Sequence, residues 1–196
     1  MLVFLEIAAT IFGLLQGILV MLNKRSNWIA YIIQMIFLVS FSIATNLYGD
    51  IINNSIYLIL GVIGFILWNR PDNTNISACS WKGRFFYTIL IIIGTMLGFF
   101  ILKNTNDPLP LIDSFTTISS LVATYLMMRK KTDTWIIWFI NDIFYAIEYF
   151  IIPEQAIYLF LLNVVWSLMA IASYINWYKL MKDENKNEKD IFCGKI

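Results

Sequence analysis

The segment "WIIWFIND" (residues 135–142) sets two indoles, an amide and a carboxylic acid inside a strongly apolar run. On a helix, Trp138, Asp142, Tyr145 and Tyr149 succeed one another at spacings of 4, 3 and 4 and share one face, with Trp135 and Asn141 at its flanks. An Asp at the centre of a membrane helix costs about 2.5–3.5 kcal/mol on the insertion scale, so such a group turns to the bundle interior or an aqueous cavity. The chemistry of this set is recognition. Indole and phenol rings offer flat surfaces for stacking, about 1–3 kcal/mol per ring where bases are bound. The amide and the acid exchange hydrogen bonds with hydroxyls or a ring amide, and aromatic faces beside one carboxylate suit a delocalised cation. The set predicts a small, flat, hydroxylated heteroaromatic ligand, neutral or cationic.

Two other stretches repeat the idea. Asn54, Tyr57, Gly61, Gly64 and Trp68 are spaced 3, 4, 3 and 4, as are Asn163, Trp166, Ala170, Ser173 and Trp177. Gln34 adds an amide from a further segment. The candidate binding set is therefore Gln34, Asn54, Tyr57, Trp135, Trp138, Asn141, Asp142, Tyr145, Asn163 and Trp166, expected to converge on one axial cavity. Gly61, Gly64, Ala170 and Ser173 are expected as helix-packing positions, because small residues let membrane helices approach closely. Trp68 and Trp177, at span ends, are expected as anchors at the membrane interface. Trp28 and Trp135 begin their spans, and belt and site remain equally open for them.

Composition says what holds these residues. Of 196 residues, 59% are hydrophobic and 14% charged, against about 25% charged in soluble domains. Apolar runs long enough for a hydrocarbon core about 30 Å thick recur along the chain. Seven transmembrane helices are drawn, over about 2–22, 28–45, 47–68, 85–102, 111–128, 135–152 and 155–178. The first lacks a basic leader and reads as a retained span rather than a cleaved signal. All 14 basic residues except Lys103 fall in the first, third and fifth links or the tail. By the positive-inside rule the N-terminus is outside and the C-terminus inside. The tail "KDENKNEKD" reads as solvated or disordered. Cys79 and Cys193 then fall on the cytoplasmic side, where free thiols are expected.

Sliding the chain by 107 residues lays Glu6 on Asp113, Trp28 on Trp135, Tyr31 on Trp138 and Gln34 on Asn141. An offset of 109 lays Asn54 on Asn163, Tyr57 on Trp166 and Trp68 on Trp177. The chain thus divides into a first three-helix repeat (1–68), a linker with the fourth helix (69–109), a second repeat (110–178) and a charged tail (179–196). The odd linking helix makes this a parallel 3+1+3 repeat, a bundle like that of the SWEET-type transporters. With no histidine, His-based triads and zinc sites are excluded, and no acid pair stands at catalytic spacing. An enzyme is not expected, nor a cofactor or metal. Lys179 lies at the end of its span, which argues against a retinal pigment.

These residues resemble the bacterial Pnu vitamin transporters. "EIAATIFGLL" is similar to that family's E-x-x-G-T-I-x-G-L pattern, with Ala9 in place of the usual glycine. Trp135, Trp138 and Asp142 fill its W-x-x-W-x-x-x-[N/D] element. The third span is similar too, with Asn54 where glutamine is frequent, and Asn163 stands where tyrosine is common. The resemblance covers residues 6–178. It implies facilitated diffusion of a vitamin precursor, foremost nicotinamide riboside, trapped inside by a cytoplasmic kinase. Thiamine, riboflavin or a deoxynucleoside are the alternative cargoes, and proton-coupled symport through Asp142 the alternative mechanism. The expected setting is the cell (inner) membrane, with lipid as partner, no nucleic acid, and homo-oligomer formation left open.

Overall fold

In lipid, an unpaired peptide group is so costly that a spanning segment satisfies its own backbone as a helix. The computed structural model describes residues 1–73, 75–105, 107–151 and 157–193, the side chains at 48–49, 149, 157–159 and 187–193 excepted. Its helices are α1 (Leu2–Met21), α2 (Asn27–Ala44), α3 (Tyr48–Trp68), α4 (Trp81–Leu102), α5 (Pro110–Met128), α6 (Thr134–Ile151) and α7 (Ile157–Cys193). Among the described residues, six helices are long and apolar enough to cross a membrane, namely α1 to α5 and α7 from Phe160. The seventh expected span, α6, is helical over 18 residues and carries Asn141, Asp142 and Glu148.

The chain forms two units, Met1–Thr74 and Asn75–Ile196. In the first, α2 packs against both α1 and α3. Trp28, at the head of α2, lies edge-on to Trp68 with ring centroids 5.8 Å apart, and both indoles are 0% exposed. The ring of Trp28 covers Gly64 so closely that a Cβ there would meet it at 2.5 Å. Tyr31, one turn on, covers Gly61 in the same way at 2.8 Å. Both glycines are thus packing positions, as expected.

In the second unit, α4, α5, α6 and α7 pack in chain order. The α5 helix is the most deeply buried, and its small hydroxylated face makes that possible. Ser114, Thr116, Ser119, Ser120 and Thr124 are buried, and all but Ser119 return the hydroxyl to a carbonyl one turn back. Gly98 of α4 approaches Ser114, and Gly94 approaches Ile118. On the far side Trp135 meets Trp177 edge-on at 5.3 Å, with Trp177 0% exposed.

The links entering α2 and α6 share one design. Asn23 and Lys130, 107 residues apart, hold φ of 52° and 51°. Both close a helix C-terminus by the same paired bonds, Asn23 N to Val20 O with Lys24 N to Leu19 O, and Lys130 N to Met127 O with Lys131 N to Leu126 O. This is the Schellman motif. Asparagine enters the left-handed region readily, whereas lysine does so at about 1–2 kcal/mol.

Two expectations are corrected. Trp68 and Trp177 are not interface anchors, because each is sealed beneath another indole. Of the solvated or disordered tail, the disordered alternative is corrected over residues 179–193, because α7 continues as helix to Cys193. Lys179 and Asp183, and Lys186 and Asp190, stand four apart, a spacing that supports helix, and growth from an existing helix carries no nucleation cost. The Glu184 carboxylate also accepts the backbone N–H of Ile76 at 2.9 Å, fastening α7 to the link before α4.

Gly64→Ala is expected to lower stability by about 1–3 kcal/mol, the cost of overpacking a filled site. Thermal unfolding in detergent should show this, with Gly83→Ala, whose nearest neighbour is the Ser80 hydroxyl at 3.3 Å, losing much less.

Candidate functional site

The α6 helix presents Ile136, Ile140, Ile143 and Ile147 outward and buries Trp135, Asn141, Asp142 and Ala146. Apolar branched residues thus meet the hydrocarbon, and the polar pair is drawn inside, as the helical spacing requires. Asn141 is 0% exposed, and its Oδ1 accepts the Ser119 hydroxyl of α5 at 2.8 Å. Its Nδ2 has no partner, and neither has the indole N–H of Trp135. Asp142 is 8% exposed, and among the described residues no hydrogen bond or ion pair holds its carboxylate. Buried polar atoms are nearly always satisfied. Two orphaned donors and one bare carboxylate thus lie within adjacent turns of one helix.

The remaining expected residues divide between the units. In the second, Trp138, Tyr145, Asn163 and Trp166 are half-buried, and Tyr145 and Asn163 are engaged with neighbours. The Tyr149 side chain lies outside those described. In the first unit, the half-buried Gln34 amide fills the space above Gly13, where a Cβ would meet its Nε2 at 2.6 Å. Asn54 donates from Nδ2 to the Ser42 hydroxyl at 3.2 Å, joining α3 to α2, and Tyr57 is likewise engaged. Trp28, fully buried, leaves its indole N–H without a partner just as its counterpart Trp135 does.

Two residues outside the expected set prove central. Ser119 orients Asn141; its only trace in the sequence is the hydroxyl-rich run "TTISS". Asp133, 7% exposed in the link before α6, binds Arg84 Nε at 2.6 Å and accepts the backbone N–H of Cys79 at 2.7 Å. Beside it Ser77 forms a parallel bridge with Lys131, whose ammonium donates to the Ser77 hydroxyl at 2.7 Å. The link preceding α4 is thus clipped to the α5–α6 turn. Burial first, then the nearby Asp133 carboxylate, pushes the Cys79 thiol up from its ordinary 9.0 to about 11. Among the described residues no group of acids and cysteines is disposed to hold a metal ion.

Helices long and apolar enough to cross a membrane, with the polar Asn141 and Asp142 buried on α6, define a multi-pass membrane protein. Residues 3–179 match the family model described as nicotinamide mononucleotide transporter, and the chain belongs to that family of transporters. It is similar to the nicotinamide riboside transporter PnuC of Neisseria mucosa, 24% identical over 188 residues, covering 89% of this chain and 72% of the relative. The nicotinamide riboside transporter PnuC of Haemophilus influenzae is 26% identical over 194 residues, covering 92% and 82%. A crystal structure of the vitamin B3 transporter PnuC matches with a TM-score of 0.72 at 25% identity, covering 92% of this chain and 83% of that one. The chain is thus a multi-pass inner-membrane transporter and not an enzyme.

Ser119→Ala should cost about 1–3 kcal/mol by stranding the buried Asn141 carbonyl, read as a lowered unfolding midpoint. The thiol of Cys79 keeps its proton beyond the unfolded value, so its contribution to stability is complete below pH 9 and is lost as pH rises through about 11. In a Cys193→Ser background, alkylation of the folded protein should keep accelerating to about pH 11 instead of levelling near 9.

Proposed function

We propose that this transporter carries nicotinamide riboside, or a close relative, down its concentration gradient, and that phosphorylation by a cytoplasmic kinase retains the cargo. The observation that carries this reading is Asp142, a buried carboxylate to which no described side chain is bonded. A buried unpaired charge is costly, and a cationic pyridinium cargo would offset it. Asn141, Trp135, Trp138 and Tyr145 on the same helix supply an amide donor for ribose or carboxamide oxygens and rings for stacking. Asn163 and Trp166 complete the proposed set within the second unit, and Gln34, Asn54 and Tyr57 are proposed contacts of the first. The riboside is favoured over the mononucleotide because this set holds an acid and no Lys or Arg, whereas a phosphate calls for cations or a cluster of backbone donors.

The reading includes a parallel 3+1+3 repeat with the N-terminus outside and the C-terminus inside, in the manner of SWEET-type bundles. Support comes from the paired left-handed turns at Asn23 and Lys130 and from the two edge-on pairs, Trp28 with Trp68 and Trp135 with Trp177. Thiamine, riboflavin or a deoxynucleoside remain alternative cargoes. The same bare carboxylate favours one second mechanism, proton-coupled symport with Asp142 as the titrating group, in which a protonophore would abolish accumulation in vesicles that lack the kinase.

Tryptophan fluorescence of the purified protein should quench saturably with nicotinamide riboside, and less with thiamine or riboflavin. Asp142→Asn should weaken binding of the cation about 10- to 100-fold, the worth of a hydrogen bond to a charged group, while the protein stays monodisperse in detergent. Unchanged affinity in that variant would remove Asp142 from the site.

A further inference from the structure

Within the second unit, α4, α5 and α6 enclose a cleft of about 390 Å³. Thr88 and Ile92 of α4, Phe115 of α5 and Ile136 and Ile140 of α6 line most of its length. Its one strongly polar end holds Arg84 and Asp133. Along α4 the lining runs from Arg84 to Ile92, about 12 Å at 1.5 Å per residue. The rim is open to the hydrocarbon, with Ile92 53%, Ile136 45% and Ile140 40% exposed.

We propose that this cleft seats one acyl chain of an anionic phospholipid whose phosphate is held by Arg84. Three features select that occupant. First, Arg84 spends only its Nε on Asp133, and its side chain is 45% exposed. Its terminal NH₂ groups are left to form the paired bonds that guanidinium makes with phosphate. Second, Lys82 lies in the first turn of α4 and Arg129 at the C-terminal cap of α5, beside Lys131, whose ammonium also donates to Ser77. Basic residues at the mouth of a groove between transmembrane helices are a recognised means of holding anionic headgroups. Third, the outer surface is unsuited to another helix. Membrane helices associate through small residues, and the glycines of α4 at 94 and 98 are already spent on Ile118 and Ser114 of α5. What α4 and α6 turn outward is branched or aromatic, including Phe85, Phe86, Ile93 and Leu97. Asp133 acts here as a positioning residue, fixing Arg84 at the cleft mouth.

The test is native mass spectrometry of the full chain, purified with phosphatidylglycerol or phosphatidylcholine of identical acyl chains. The wild type should retain phosphatidylglycerol preferentially. Arg84→Gln should bind it about fivefold more weakly, the effect of one basic residue at a charged membrane surface, and Arg84→Lys, whose single ammonium cannot replace separate guanidinium nitrogens for Asp133 and phosphate, should restore the preference only in part. Thr88→Phe, which fills the groove without touching the ion pair, should lose both lipids and keeps the test valid if Arg84→Gln fails to fold. Equal retention of the two lipids by the wild type, or retention unchanged in Thr88→Phe, overturns the proposal. So does a Thr88→Phe protein whose oligomeric mass changes while its lipid content does not, because a second copy then fills the cleft.

Discussion

How closely the helices approach within each unit depends on where an indole can be put. Trp28 lies over Gly64 and edge-on to Trp68, and Trp135 meets Trp177 in the same attitude. An aromatic pair of this geometry contributes about 0.5–1.5 kcal/mol beyond its buried area, and it is directional. Water supplies no hydrophobic drive between helices inside lipid, so packing has to do it. Ring over glycine brings backbones together, and the polar atoms of the middle helix are set at one depth and one angle. The two left-handed turns at Asn23 and Lys130 place these tryptophans at the same point after each turn. From that placement follow the inward aim of Asn141 and the outward stripe of isoleucines on α6.

That rigidity makes the unsatisfied groups meaningful. In the second unit the Trp135 N–H and the Asn141 Nδ2 have no partner, and the Ser119 bond holds the Asn141 amide in place. Leaving a buried donor unmatched costs about 1–3 kcal/mol, and the fold holds several. A site that keeps its polar groups bare has less to break when a guest arrives, which is how pre-organisation lowers the cost of binding.

The sequence made the helices, the repeated Trp and amide positions and the buried face of α6 readable, because apolar length and helical spacing are local. It misread tryptophan. An indole is amphipathic and fits an interface as well as a core, and only the partner ring decides. Their position at span ends places Trp68 and Trp177 at the membrane surface, whereas in the structure Trp28 and Trp135 cover them. Asp133 was hidden in a link whose lysines and arginine dominate, its partner Arg84 being remote in sequence. The helical course beyond 178 was obscured by composition. The contact that fastens it joins the Glu184 carboxylate to a backbone N–H, which no side-chain pattern announces. Of the binding set, spacing gave the shared face but not the spending of Asn141 Oδ1 on Ser119.

The length of α7 has a mechanical meaning. Its 37 residues make a rod of about 55 Å, against a hydrocarbon layer of about 30 Å. A tilt of about 10° about one end would sweep the other by about 10 Å at that length. The rod is pinned part-way along, where Glu184 holds Ile76, and that pin lies one link from the Asp133 clip on Cys79 and Arg84. Any rocking of α7 would therefore pull on residues 76–84, making the helix a lever arm with that segment as its load.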